Sequence, residues 1–142
     1  MTVKFKVRGM TGIVNGFKAK ELALEKQLKT GLRSAGEFVK KESVSMTPRD
    51  SGALIDSAYG GYDQPVKKYA NVLYTEVGYD ENIAPYAAQV HEATGKLKGQ
   101  KRRKSNSVGN YWDDTGEPKF LEKAFFKNVS KIRRIIKSKL KL

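Results

Sequence analysis

The 142-residue sequence predicts an α+β fold, and three observations carry that prediction. From about Phe17 to Met46, the apolar residues Phe17, Leu24, Leu28, Ala35, Val39 and Met46 recur at intervals of seven and four, the spacing of one long helix. Between about Ser57 and Tyr79 the helical period gives way to alternation punctuated by turn residues, which marks β structure. From Pro118 the helical period returns. Leu121, Ala124, Phe125, Val129, Ile132, Ile136 and Leu140 form the buried stripe of a closing helix.

Each element has its own local reason. Val3, Phe5 and Val7 alternate with Lys4 and Lys6, so the chain opens on a strand, and Gly9, Gly12 and Gly16 then mark a turn. The long helix would measure roughly 45 Å. That is more than a small core requires, so part of it is expected to pack on another subunit. Leu32 and Phe38 widen its apolar stripe, and Glu37 and Lys41 sit four apart in the favourable order. Gly31 marks a bend or a close helix contact, or is a glycine simply tolerated on a long helix. Thr47-Pro48 ends the helix, because proline removes a donor and biases its predecessor away from helix. Asp50 or Ser51 is then placed to cap a short turn through Ala53-Leu54-Ile55. Tyr69 to Val77 reads as one strand with apolar residues on both faces, as in a central strand covered on two sides. Ile83, Tyr86, Ala87 and Val90 share one helical face, with Pro85 in the first turn. Residues 94–116 read as a loop unusually long for a compact domain.

The length suits a single domain spanning residues 1–142. Apolar residues make up 39% and charged residues 30%, which implies an ordered core under a heavily solvated surface. The formal net charge is +13, and two short stretches account for +12 of it. One holds Lys96, Lys98, Lys101, Arg102, Arg103 and Lys104; the other holds Lys131, Arg133, Arg134, Lys137, Lys139 and Lys141; neither contains an acid. Such patches are either solvated faces or contacts for nucleic acid or an acidic protein surface. No apolar run reaches the roughly 20 residues that cross a bilayer, and the N-terminus lacks the apolar stretch of a signal peptide. No membrane partner is expected, and the chain is expected in the cytoplasm at synthesis.

Catalytic chemistry finds few parts. With no cysteine there is no disulfide, thiolate nucleophile or sulfur-based zinc site. His91 is the only histidine, and the position four residues on is Gly95, so the two-histidine helical zinc motif is missing. His91 reads as a polar contact at a helix end. The acid pairs Asp80-Glu81 and Asp113-Asp114 could hold magnesium for a nuclease, but both fall in turn sequences where acids serve the backbone. No phosphate-binding glycine loop or nucleophile elbow is present. The expectation is no catalytic residue, no metal and no cofactor. Tyr111 and Trp112 stand out in the polar loop as interface anchors, since aromatics are enriched at binding hot spots.

Three patches, in order, resemble the tail-completion, or head–tail joining, proteins of tailed bacteriophages, often labelled minor capsid or minor tail proteins. Thr47-Pro48-Arg49-Asp50-Ser51-Gly52-Ala53-Leu54 resembles their Thr-Pro-x-Asp-Thr-Gly-x-Leu signature. Tyr86-Ala87-Ala88-Gln89-Val90-His91-Glu92 resembles a Tyr-Ala segment ending in glutamate that follows a strand. Pro118-Lys119-Phe120-Leu121-Glu122-Lys123-Ala124 resembles the Pro-x-Phe-Leu-x-x-Ala start of the C-terminal helix. Two departures stand beside these: Ser51 replaces a threonine, and Ala93-Thr94-Gly95 leads into the long basic loop in place of Gly-Thr. The resemblance implies a long N-terminal helix packed on an antiparallel sheet, followed by a C-terminal helix. It also implies a structural protein of the virion neck, a homo-oligomeric ring expected to be hexameric. Its implied partners are the head-completion or connector protein, the tail terminator or tail tube, and the genome DNA crossing the channel. The long helix and the 94–116 loop, with its cations and Tyr111 and Trp112, are the expected subunit and partner contacts. The alternative is a basic nucleic-acid-binding protein using residues 96–104 and 131–141.

Overall fold

The computed structural model describes residues 2–7, 18–48, 52–92 and 116–141. In chain order the elements are β1 (Thr2–Val7), α1 (Lys18–Met46), α2 (Ala53–Asp56), β2 (Ala58–Tyr59), a 3-10 turn (Gly61–Asp63), β3 (Lys67–Tyr69), β4 (Val72–Tyr79), α3 (Ala87–Glu92), α4 (Phe120–Phe126) and α5 (Val129–Ser138). This is the predicted α+β architecture: a long helix against a small antiparallel sheet, with the helical C-terminus beside it.

β4 is the central strand. β1 runs antiparallel along one edge, with Thr2 opposite Gly78 and Val7 opposite Leu73. The other edge is shared. β2 pairs with the end of β4 (Ala58 with Tyr79), and β3 pairs with its beginning (Lys67 with Tyr74, Tyr69 with Val72). Leu73, Thr75, Val77 and Tyr79 face the helices and are buried, while Val72, Tyr74 and Glu76 on the opposite face are half-buried.

Two strand expectations are corrected here. The stretch from Tyr69 to Val77 is not one strand but a hairpin turning at Ala70-Asn71, so the alternation seen in sequence spans two strands. Nor, among the described residues, is the sheet covered on both sides. Among the described residues its outer face carries side chains that satisfy one another. Lys4 Nζ lies 3.5 Å from Glu76 and 5.9 Å from the Tyr74 ring centroid. Over Gly78, which has no side chain, Thr2 Oγ1 and the Tyr59 hydroxyl meet at 2.8 Å.

α1 supplies the main apolar stripe. Leu24, Leu28, Leu32, Ala35, Val39 and Ser43 are buried at helical spacing, and each fully buried leucine contributes roughly 1.5–3 kcal/mol. From Leu24 onward α1 packs on its own chain, while Leu22 near its start is exposed. β4 and the 3-10 turn cover one side of the helix, while α4 and α5 lie along another. α5 runs antiparallel to α1: Lys131 Nζ sits 4.7 Å from the Phe38 ring centroid, and the Lys141 N–H donates to Gln27 Oε1 at 2.8 Å. Between them, Gly31 meets Ile136 so closely that a Cβ there would lie 3.1 Å from the Ile136 Cα. Gly31 therefore marks a close helix contact, one of the readings its position allowed.

Smaller corrections follow from tertiary contacts. Glu37 pairs with Lys40 at 3.3 Å rather than with Lys41, because its carboxylate turns toward the 3-10 turn and receives the Tyr62 N–H at 3.4 Å. The helix expected from Ile83 begins only at Ala87; Ile83 lies in a turn and is exposed. There Asp80 accepts the Asn82 N–H on its side chain (2.8 Å) and the Ala84 N–H on its carbonyl (2.9 Å), which delays the helix. The C-terminal helix is two helices, broken at Lys127-Asn128, where the Asn128 side chain donates to the Ala124 carbonyl at 2.9 Å. The glycine-punctuated turn at 9–16 and Phe17 lie outside the described residues.

Candidate functional site

α1 ends in a buried network of hydroxyls. Thr47 Oγ1 donates to the Ser43 carbonyl at 2.8 Å, and the Tyr79 hydroxyl lies 2.7 Å from both Thr47 Oγ1 and Ser43 Oγ. Each hydroxyl has one proton. Thr47 spends its proton on the carbonyl, so Tyr79 donates to Thr47 and Ser43 donates to Tyr79. The result is a closed circuit of donors and acceptors in which no buried hydroxyl is left over. Ser43 and Tyr79 are 1% and 2% exposed, and burial pushes the Tyr79 phenol above its ordinary pKa, with the two hydroxyl contacts opposing the shift.

Phe120 closes the site from the C-terminal helices. Its ring meets Tyr79 edge-on at a centroid distance of 5.1 Å and His91 edge-on at 5.0 Å. Two backbone bonds fasten the same corner. The Glu117 N–H donates to the Met46 carbonyl at 2.8 Å, and the Lys119 N–H donates to the His91 carbonyl at 2.7 Å. Lys119 adopts a left-handed φ of 54° as it turns the chain into α4.

The three sequence patches therefore meet in space. Thr47 contributes a hydroxyl to the network, Phe120 the ring that packs against it, and His91 the next ring. Leu54, Ala87, Leu121 and Ala124 are buried in the common core, Pro48 is buried, and Tyr86 packs against that core half-buried. Gly52 precedes α2 with φ 87°, a left-handed conformation that glycine adopts without penalty. Gly52 is also the N-cap residue, and the first long bond of α2 runs from the Asp56 N–H to the Gly52 carbonyl at 2.9 Å. Asp50 and Ser51 lie outside the described residues. Pro118 and Glu92 sit at the rim, with Glu92 exposed.

His91 is at the end of α3, as expected, but it is 3% exposed. Its Nδ1 bonds Glu92 Oε1 at 2.9 Å, and its Nε2, like Thr75 Oγ1, is buried without a hydrogen-bond partner among the described residues. The His91 contact, with Lys119 nearby, holds the Glu92 carboxyl below its ordinary pKa.

Sequence reasoning missed Tyr79 and Ser43, the centre of the corner. The available signal was a serine four residues before Thr47, on a stripe otherwise apolar from Leu24 to Val39. The expected contacts Lys96, Lys98, Lys101, Arg102, Arg103, Lys104, Tyr111 and Trp112 lie outside the described residues, as does the 94–116 loop except for Gly116. Among the described residues no three histidine or acidic side chains are grouped to hold a metal, and no helix is long and apolar enough to cross a membrane. A shallow, open cleft of ≈ 380 Å³ is lined by Asp56, Ser57, Ala58, Tyr59, Gln64, Glu76, Asp80 and Ile83; the Ser57 hydroxyl donates to the Leu54 carbonyl at 2.6 Å. Comparison with protein-family models, curated protein sequences and solved structures finds no match for this chain.

Proposed function

We propose that this chain is a structural protein of the tailed-phage neck, acting in the virion as a ring that joins the head connector to the tail around the DNA channel. The observation that carries the reading is the meeting of the three patches that resemble the neck family. They are separated by long stretches of chain, yet Thr47, His91 and Phe120 surround one buried corner. Accidental short matches scattered along a sequence would have no reason to share a core.

The reading assigns no catalytic, metal or cofactor residue, and function lies in assembly. Ring contacts between identical subunits require two different surfaces on each. The exposed start of α1 around Leu22, the sheet's outer face and the residues between 93 and 115 are the candidates for them.

Size-exclusion chromatography with light scattering, followed by electron microscopy, tests the proposal. The expected result is a closed ring, alone at high concentration or on mixing with a head connector. A strict monomer under both conditions overturns it.

A further inference from the structure

We infer that the solvent face of α5 is a contact surface for the phosphate backbone of nucleic acid. Ile132, Ile135, Ile136 and Leu140 turn toward the core, which leaves Lys131, Arg133, Arg134, Lys137, Lys139 and Lys141 exposed. Arg134 and Lys137 stand one turn apart on α5, which ends at Ser138, and Lys139 and Lys141 follow just beyond its end. Arg133 stands one residue before Arg134.

The charge of this face is not balanced within the described residues. Elsewhere among the described residues many cations are paired: Lys4 with Glu76, Lys29 and Lys68 with Glu25, Lys40 with Glu37 and Asp63, Lys119 with Glu92 and Glu122, Lys123 with Glu117. Lys26, Arg33, Lys41, Lys67 and Lys127 stand singly along the chain, whereas none of the six cations gathered between Lys131 and Lys141 has an ion-pair partner among the described residues. Like charges three and four apart disfavour a helix. The helix dipole offsets this only in the last turn, and Arg133 and Arg134 lie before it in α5.

The chemistry favours nucleic acid over an acidic protein. Protein interfaces form around buried apolar or aromatic anchors, whereas the outer face of α5 offers only cations, Ser130 and Ser138. A cluster of positive charge without anchors suits a partner that is itself a line of negative charge. The cluster holds no asparagine, glutamine or aromatic side chain to read base edges, so the contact positions a backbone and ignores sequence.

Fluorescence anisotropy with short DNA duplexes of two unrelated sequences tests this on the full chain. The expected result is equal affinity for both, with log K falling against log salt at a slope of about −4, for about four phosphates neutralised. Arg134→Gln with Lys137→Gln should flatten that slope by about 2. Lys29→Gln with Lys40→Gln, which removes the same charge from paired positions, should leave it nearly unchanged. Unfolding midpoints of both variants confirm the fold. Absent duplex binding, equal effects of the two variant pairs, or equally tight binding to polyglutamate would each overturn the inference. Light scattering tests the ring independently, so either reading can fail without the other.

Discussion

The hydroxyl circuit makes a quantitative prediction at Tyr79→Phe. The substitution keeps the ring, its edge-on contact with Phe120 and nearly all of its volume, and removes one oxygen. Thr47 keeps its bond to the Ser43 carbonyl and loses only a donor to its oxygen. Ser43 fares worse: its hydroxyl proton, in a site 1% exposed, loses its acceptor. A buried donor left without a partner costs about 1–3 kcal/mol, so a loss of about 2 kcal/mol is expected. In urea, with a slope of about 1–3 kcal/mol/M for a domain of this size, the midpoint should fall by roughly 1 M without a change in slope. Ser43→Ala alone should cost about 1 kcal/mol. The double variant should be no worse than Tyr79→Phe, because the stranded donor has gone with its acceptor; the non-additivity is then about 1 kcal/mol. Strict additivity, or a Tyr79→Phe midpoint within about 0.2 M of the parent, would refute the donor assignment.

Three further outcomes are expected. Gly52→Ala and Gly61→Ala both force alanine into a left-handed φ (87° and 71°), but a Cβ at Gly52 meets open space while one at Gly61 lies 2.6 Å from the Glu37 Cα. Chemical denaturation should show about 1 kcal/mol lost at Gly52 and at least about 3 kcal/mol at Gly61, where backbone must also move. Ala70→Gly should stabilise the chain by up to about 1 kcal/mol, since Ala70 holds φ 53° at the hairpin turn; a destabilised variant would mean that the alanine methyl is needed. Because burial raises the Tyr79 pKa, the folded state holds that proton more tightly than the unfolded state does. Its contribution is fully present below the unfolded tyrosine value near 10 and is lost as pH rises through the higher folded value. Unfolding midpoints measured between pH 9 and 12 should show an alkaline decline that is shallower in Tyr79→Phe.

Where periodicity alone decides an outcome, the sequence was sufficient. The 29-residue α1 follows from an apolar stripe that a helix alone can put on one face, and its end follows from Pro48. Turns were harder to see. Ala70-Asn71 reverses the chain without a glycine at its left-handed position, so nothing interrupts the alternation between Tyr69 and Val77. The break at Lys127-Asn128 is hidden for a similar reason, because apolar residues continue on the same face through it. The corner itself was legible only in fragments. Thr47 and Phe120 belong to patches that could be recognised, whereas Tyr79 looks like any strand tyrosine until the fold brings Ser43 beside it.

The three patches are largely core. Thr47, Leu54, Ala87, Phe120, Leu121 and Ala124 are buried, so these patches encode a way of packing α1, β4, α3 and α4 together. The basic surface lies elsewhere, on the exposed side of α5. The two properties should therefore separate under mutation. Tyr79→Phe should lower the unfolding midpoint and leave the salt dependence of DNA binding unchanged at temperatures where the chain is folded, because the hydroxyl network and the exposed cations of α5 share no side chain. Arg134→Gln with Lys137→Gln should do the reverse, flattening the salt slope while moving the midpoint by no more than the few tenths of a kcal/mol expected of exposed positions. If the core variant changed the salt slope, or the surface pair cost as much stability as Tyr79→Phe, packing and recognition would be one property of this fold rather than two.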